Sequence, residues 1–322
     1  MSIYKGVYIL DAVIVILGPT ASGKTKVSIE LAKQINGEIV SADSMQIYKF
    51  MDIGTAKPDE MEREGVEHYL IDEVNPDEEF SVARYQETAL GYIEKILSKG
   101  KTPIVVGGTG LYINSLLYNI NYSETVSDWE LRDQLKKESE EKGNEYLHKR
   151  LEDIDPEAAK RIHPNDIKRV IRAIEVYKFT NKPISYHQEI SRQLPPKYRY
   201  IPIGLNIDRE ILYERINQRV DIMLEKGLVE EVKKLVEMGC DKNTIAMQAI
   251  GYKEILRYLR GETNLDEAVY VIKRDSRHYA KRQLTWFRRN QDIHWIDVGN
   301  CDSTEAVIEN IKNYVASIGI FL

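Results

Sequence analysis

The chain has 322 residues, 43% apolar and 30% charged, and a formal net charge of −6. This balance excludes a disordered or fibrous polymer, and at about 150 residues per domain it supports one large core plus a smaller or inserted one. The two cysteines, Cys240 and Cys301, stand apart and signal neither a disulfide framework nor a zinc site, and no run approaches a membrane span.

The chain opens MSIYKGVYILDAVIVILG. Asp11 interrupts the apolar run and no small-residue cleavage site precedes the glycine-rich segment, so a cytoplasmic protein without membrane association is expected. Residues 12–17 form a β-branched apolar run, a buried strand by pattern. It breaks into Gly18, Pro19, Thr20, Ala21, Ser22, Gly23, Lys24 and Thr25, the pattern G-x-x-x-x-G-K-[ST]. Backbone N–H groups of such a turn and of the following helix surround phosphate oxygens, Lys24 adds a point charge, and Thr25 offers a hydroxyl to Mg²⁺. Val27, Ile29, Leu31, Ala32 and Ile35 then recur at helical spacing. This is a diphosphate or triphosphate site, and the spacing predicts a P-loop NTPase-like parallel α/β sheet flanked by helices.

Residues 37–44 read as a second strand ending in Asp43 and Ser44, followed by Met45 and Gln46. In parallel α/β sheets functional groups collect at the carboxyl ends of strands, so Asp43 is either a site carboxylate or a helix-capping aspartate. Gly54 and Pro58 mark a loop, and residues 68–72 are expected as a strand. Ser81 can cap a helix whose core stripe runs through Val82, Tyr85, Ala89, Tyr92, Ile93, Ile96 and Leu97. A buried strand at Ile104, Val105 and Val106 runs into Gly107, Gly108, Thr109 and Gly110, a second turn that brings backbone close to a ligand.

From 124 to 199 the composition changes to charged helices without convincing strands, as expected of an all-helical insertion. The expected organisation is therefore a first core segment over 1–123, the insertion over 124–199, and the rest of the core over 200–322. Residues 160–172 carry five Lys or Arg against one Asp, among them Lys168, Arg169 and Arg172. Residues 208–238 are helical with a break at Gly227. Arg215 and Arg219 lie four apart on one face, as a surface ion-pair set or as site residues. Residues 273–289 carry seven Lys or Arg against Asp275. There Arg274, Arg277 and Lys281 form a stripe with Tyr279, Trp286 and Phe287 interleaved, a pattern shared by core aromatics and nucleic-acid faces. A last strand at 293–297 and a helix close the chain.

Most P-loop proteins transfer a phosphoryl group from ATP, but here no strand of four apolar residues ends in a Walker-B acid, and the strand at 104–106 ends in glycine. At this point the motifs GPTASGKT (18–25), ADSMQIY (42–48), MDIGTAKP (51–58), GGTGLY (107–112), HPND with KRVIRA (163–173), RVDIMLEKGLVEEV (219–232), QAIGYKE (248–254) and YAKRQLTWFR (279–288) closely resemble the tRNA dimethylallyltransferase family, also called tRNA isopentenyltransferases. The resemblance implies transfer of the dimethylallyl group of dimethylallyl diphosphate to N6 of the adenosine 3′ of the anticodon. It implies a general-base role for Asp43, a channel-lining role for Thr109, and a diphosphate contact for Arg219. Residues 18–25 would hold the diphosphate with Mg²⁺ at Thr25. Ser44, Met45 and Gln46 would hold the extruded base. Lys168, Arg169, Val170, Ile171, Arg172, Arg274, Arg277 and Lys281 would meet the tRNA anticodon stem-loop. The chain lacks the Cys/His zinc finger of eukaryotic relatives, so a bacterial-type monomer is expected. Spacing alone does not separate a dimethylallyl from a longer prenyl donor. A P-loop kinase of a small molecule or nucleotide, and a non-catalytic RNA-binding module, stand as the competing readings.

Overall fold

The structure, a computed structural model, describes residues 2–4, 7–9, 11–120, 128–193 and 195–320. The chain divides into two compact units, Met1–Ile113 with Lys197–Leu322, and Asn114–Pro196. The expected insertion boundary at 123–124 lies outside the described residues.

In the first unit, β1 (Ser2–Tyr4) and β2 (Val7–Ile9) form an antiparallel pair with Ser2 opposite Ile9. The main sheet is six-stranded and parallel throughout its described ladders. It consists of β3 (Ala12–Leu17), β4 (Gly37–Ala42), β5 (His68–Tyr69), β6 (Thr102–Gly107), β7 (Arg199–Asn206) and β8 (His294–Asp297), in the spatial order β5-β4-β6-β3-β7-β8. β3 sits between β6 and β7, and all of Val13 to Leu17 is buried. A parallel strand covered by helices on both faces reads as a continuous β-branched run for that reason. One such layer packs α1 (Lys24–Gln34) and the last helix of the chain onto the sheet through Val27, Leu31, Val307 and Ile311.

Local chemistry sets the element ends. Gly23, at φ 89°, starts α1. The short α2 (Glu60–Arg63) begins with a reciprocal capping box between Asp59 and Glu62. Ser81 accepts from Arg84 N–H and opens α3 (Val82–Ser98), and α4 (Gly110–Leu117) follows the second glycine turn. The strand expected at 68–72 stops after Tyr69. Leu70 and Asp72 take left-handed φ of 61° and 58°, and the buried ammonium of Lys57 holds Asp72 in a 2.5 Å ion pair. The turn thereby ends the ladder at two residues.

The second unit's described residues form α5 (Trp129–Lys142), α6 (Asn144–Ile154), α7 (Pro156–Arg161), α8 (Ile167–Thr180) and α9 (Ile184–Gln193) around a small core of Leu131, Leu147, Leu151, Val170 and Ile174. Glu175, fully buried, ties this core together. It accepts from Asp128 N–H (3.0 Å), from Arg132 through both carboxylate oxygens (2.8 and 2.9 Å), and from Arg172 (2.5 Å). Burial works to raise its pKa, but the two guanidinium groups outweigh it and lower the carboxyl below its ordinary value.

Back in the first unit, α10 (Arg209–Glu225) starts at an Asp208 cap and α11 (Leu228–Glu237) follows the break at Gly227, φ 98°. After a short 3₁₀ turn come α12 (Tyr252–Leu259), the long α13 (Leu265–Phe287) capped by Asn264, and α14 (Thr304–Ser317) capped by Ser303.

Candidate active site

The turn at 18–25 lies at the carboxyl end of β3. Gly18 adopts φ 149°, and a Cβ there would stand 2.7 Å from the Leu205 carbonyl oxygen, so the loop can lie against β7 only as glycine. The Pro19 carbonyl accepts from the Ser22 hydroxyl (2.8 Å) and from Lys24 Nζ (2.7 Å), which folds the lysine across the loop. No side chain caps the first turn of α1, and its N–H groups are left for an anion. Residues 20–25 line a cavity of about 410 Å³, whereas Gly18 and Pro19 shape the turn without lining it.

A second cavity, of about 480 Å³, adjoins the first. The two share Thr20, Asp43, Thr55, Ala56, Arg219 and Tyr279 in their walls. The first is walled by the phosphate loop; the second has apolar walls at Ile216, Val220, Met223 and Ile272. They make one channel, polar at one end and more apolar at the other, where Gln248, Lys253 and Arg282 stand among the apolar side chains, with a carboxylate, a guanidinium and a phenol at its waist.

Asp43 stands at the end of β4. Its Oδ1 accepts from Met45 N–H (2.9 Å) and Gln46 N–H (3.3 Å), so it caps the following turn while also lining the channel. One side chain thus serves as the cap and stands in the channel wall. Ser44 and Met45 line the apolar cavity and Gln46 the polar one. Gln46 Nε2 donates to the carbonyls of Thr55 and Ala56, 3.2 Å each. Arg219 Nη1 reaches Thr20 Oγ1 at 3.5 Å, while Arg215 is exposed one turn away. Burial lowers the pKa of Arg219, and burial together with the Arg219 charge brings Lys24 down to about 7 against the opposing pull of Asp43. An anion between the two cations would offset both the burial and their mutual repulsion.

The Thr109 hydroxyl accepts from Ser44 N–H (3.0 Å), donates to Ser44 Oγ (3.3 Å) and stands against the Tyr279 phenol at the waist of the channel, bracing the residue beside Asp43. Several other expected residues sit elsewhere. Val170 and Ile171 are corrected: both are buried in the core of the second unit, 0% and 7% exposed, and have no surface to offer RNA. Arg172 spends Nη1 on Glu175, so of that segment Lys168 and Arg169 are the exposed cations. On α13, Arg274 pairs with Asp275 and Arg277 donates to Asn217 (2.6 Å), while Lys281 is exposed. The face of α13 turned to the channel is instead Ile272, Ser276, Tyr279 and Arg282. Their helical spacing is legible in the sequence, and this channel face is separate from the stripe of Arg274, Arg277 and Lys281 expected to meet tRNA. Tyr279 keeps its proton: burial first and the Asp43 charge second push it up to about 12.

The loop at 51–58 forms another wall. Glu231 of α11 holds it: Oε2 accepts from Asp52 N–H (2.9 Å) and Ile53 N–H (2.8 Å), and Oε1 from Gly54 N–H (3.1 Å) and the Tyr252 hydroxyl (2.6 Å). A Cβ on Gly54 would overlap the Tyr252 ring, which explains the glycine in the middle of this loop.

A phosphate-binding turn at the carboxyl edge of a parallel sheet, without an acid on the neighbouring strand β6, places the chain among P-loop-type α/β proteins that grip a phosphorylated group in a channel. The IPP transferase family matches residues 46–290. A tRNA dimethylallyltransferase of Acetivibrio thermocellus is 68% identical over 313 residues, covering 97% of this chain and 100% of that one. Another, of Alkaliphilus oremlandii, is 56% identical over 299 residues, covering 92% and 95%. Among solved structures, the full-length tRNA isopentenylpyrophosphate transferase of Bacillus halodurans superimposes with a TM-score of 0.71 at 45% identity, covering 95% of this chain and 96% of that one. A eukaryotic dimethylallyltransferase acting on tRNA gives 0.79 at 31% identity, over 95% and 80%. This chain belongs to the IPP transferase family.

Proposed function

We propose that the protein transfers the dimethylallyl group of dimethylallyl diphosphate to N6 of the adenosine 3′ of the anticodon in tRNA, releasing diphosphate. The observation that carries this reading is the shared wall of the two cavities: Asp43, Thr20 and Arg219 stand where a phosphate loop opens into an apolar chamber. A kinase needs its acceptor at phosphorus, and finds here neither a Walker-B acid on β6 nor a use for an apolar chamber.

The adenine N6 lone pair is delocalised into the ring and is a weak nucleophile, so the reaction needs help at both ends. N6 attacks the allylic C1, the C1–O bond breaks, and its electron pair leaves on the diphosphate. Asp43 accepts the N6 proton: Oδ1 is held by two backbone N–H groups, which fixes the carboxylate and leaves Oδ2 for the amine. Lys24, Arg219 and the first-turn N–H groups of α1 stabilise the charge growing on the leaving oxygens. Thr25 is exposed at the start of α1, and no cluster of three or more His, Cys, Asp or Glu suited to a metal occurs among the described residues. Mg²⁺ would be held there by the Thr25 hydroxyl together with the bound diphosphate. When bound there, the ion would screen leaving-group charge. The adenine leaves the anticodon-loop stack to enter from the apolar side, past Ser44 and Met45. No described helix is long and apolar enough to cross a membrane.

The test is to incubate the protein with unmodified tRNA, Mg²⁺ and labelled dimethylallyl diphosphate, and to locate the label. Label on the adenosine beside the anticodon is expected, and Asp43→Asn should lower kcat by about a hundredfold or more with tRNA affinity nearly unchanged. No label with a competent tRNA, or ATP-dependent phosphorylation of a small substrate, would sink the proposal.

A further inference from the structure

Helix α13 reaches both loops that bound the polar cavity, and it does so through one buried side chain. Gln283, 6% exposed, accepts from Thr20 N–H through Oε1 (2.9 Å) and donates through Nε2 to the Gly108 carbonyl (2.9 Å). Thr20 belongs to the phosphate loop, and Gly108 to the turn that carries Thr109, whose hydroxyl braces Ser44 beside Asp43. We propose that Gln283 is a positioning residue for the transfer, a two-ended brace that sets the distance between the leaving-group loop and the acceptor carboxylate. The proposal rests on the function proposed above.

Three further observations agree. The Thr20 N–H is used by Gln283, so it is withheld from phosphate; the amide of this residue works as a mooring point. From the other side Arg219 reaches the Thr20 hydroxyl, so Thr20 is held from two helices, α13 and α10. An apolar cluster that includes Ala21, next to Thr20, and Ala280, one turn before Gln283, packs α13 against the phosphate loop and α10. Gly108 completes the fit. Its φ is outside the left-handed region, so its backbone does not require glycine. A Cβ there would overlap Gln283 Nε2, and the nearest atom outside that side chain would be the Gly18 carbonyl oxygen, at 3.5 Å. The missing side chain makes room for the carboxamide.

This predicts that Gly108→Ala and Gln283→Ala break the same brace. Each alone should lower kcat by about tenfold to a hundredfold, since misplacement of reacting groups by about 1 Å costs this much. Donor and tRNA KM should each move less than about threefold. The double variant should be no slower than the worse single, within about twofold, whereas independent sites would multiply. Gln283→Met, similar in length but unable to make either hydrogen bond, should match Gln283→Ala in kcat while keeping the fold, checked by thermal unfolding. Multiplying losses in the double variant, a wild-type kcat in Gln283→Met, or a loss confined to KM would overturn the brace while leaving the transferase reading intact. An inactive wild-type protein would instead remove the reading on which the brace depends.

Discussion

Between about pH 6 and about pH 8 the affinity for inorganic diphosphate should fall about tenfold relative to a variant whose cation cannot titrate, because of Lys24. In the free protein burial, and then the Arg219 charge, hold Lys24 near pKa 7, and its Nζ rests on the Pro19 carbonyl. The anion binds the protonated form and, once bound, raises that pKa. Below pH 7 the proton is already present. Above pH 7 it must be taken up on binding, which costs about 1.4 kcal/mol, or a factor of ten, per pH unit. The assay is titration calorimetry of diphosphate into wild type, Lys24→Arg and Lys24→Met at each pH, in two buffers of different ionisation enthalpy. The ligand's own ionisations are common to all three proteins, so the differences isolate Lys24. Wild type should take up about one more proton at about pH 8 than Lys24→Arg, which stays charged throughout. Lys24→Met should bind weakly without the extra slope. Parallel profiles for wild type and Lys24→Arg would refute the argument, since Lys24 would then be charged in the empty site.

Other residues make separate claims. Arg219→Ala should raise donor KM by about tenfold and leave tRNA KM near wild type; an unchanged donor KM would remove Arg219 from the diphosphate. Glu38 is buried at the start of β4, and there burial works to raise its pKa while hydrogen bonds from Lys101, Lys99 and Tyr69 bring it to about 2. A carboxyl depressed from its ordinary 4.5 contributes stability that is complete above that value and is lost as pH falls towards 2. The difference in unfolding free energy between wild type and Glu38→Gln should therefore be largest near neutral pH and shrink through that acid window; a constant difference would contradict it. Lys168→Ala should weaken tRNA binding and reduce the salt slope of log K by about one, and an unaltered slope would place this exposed lysine off the RNA.

The parts legible in the sequence were those whose cause is local. The strand Ala12–Leu17, the turn after it and the break at Gly227 depend on β-branching, on glycine conformation and on helical spacing within a few residues. What stayed hidden depends on partners far away in the chain. Nothing near Thr20 announces that its N–H is bound by a residue 263 positions later. Nothing near Thr109 says that its hydroxyl faces Ser44. Val170 and Ile171 were read as RNA contacts because a motif is a contiguous string, whereas a helix distributes contiguous residues over all its faces and buries about half of them. The same geometry gives α13 a channel face of Ser276, Tyr279 and Arg282 that no contiguous motif announces.

The grip of Glu231 on residues 52–54 has a consequence for selectivity. Three successive backbone N–H groups converging on one point form a nest for an anion, the same kind of receptor as the first turn of α1. Here the guest is the protein's own carboxylate, tethered to α11 and further held by the Tyr252 hydroxyl. An RNA presents a phosphate at every nucleotide, and a vacant nest in the channel wall would be a decoy for each of them. With its second receptor plugged from within, the channel keeps one open cradle, at the start of α1.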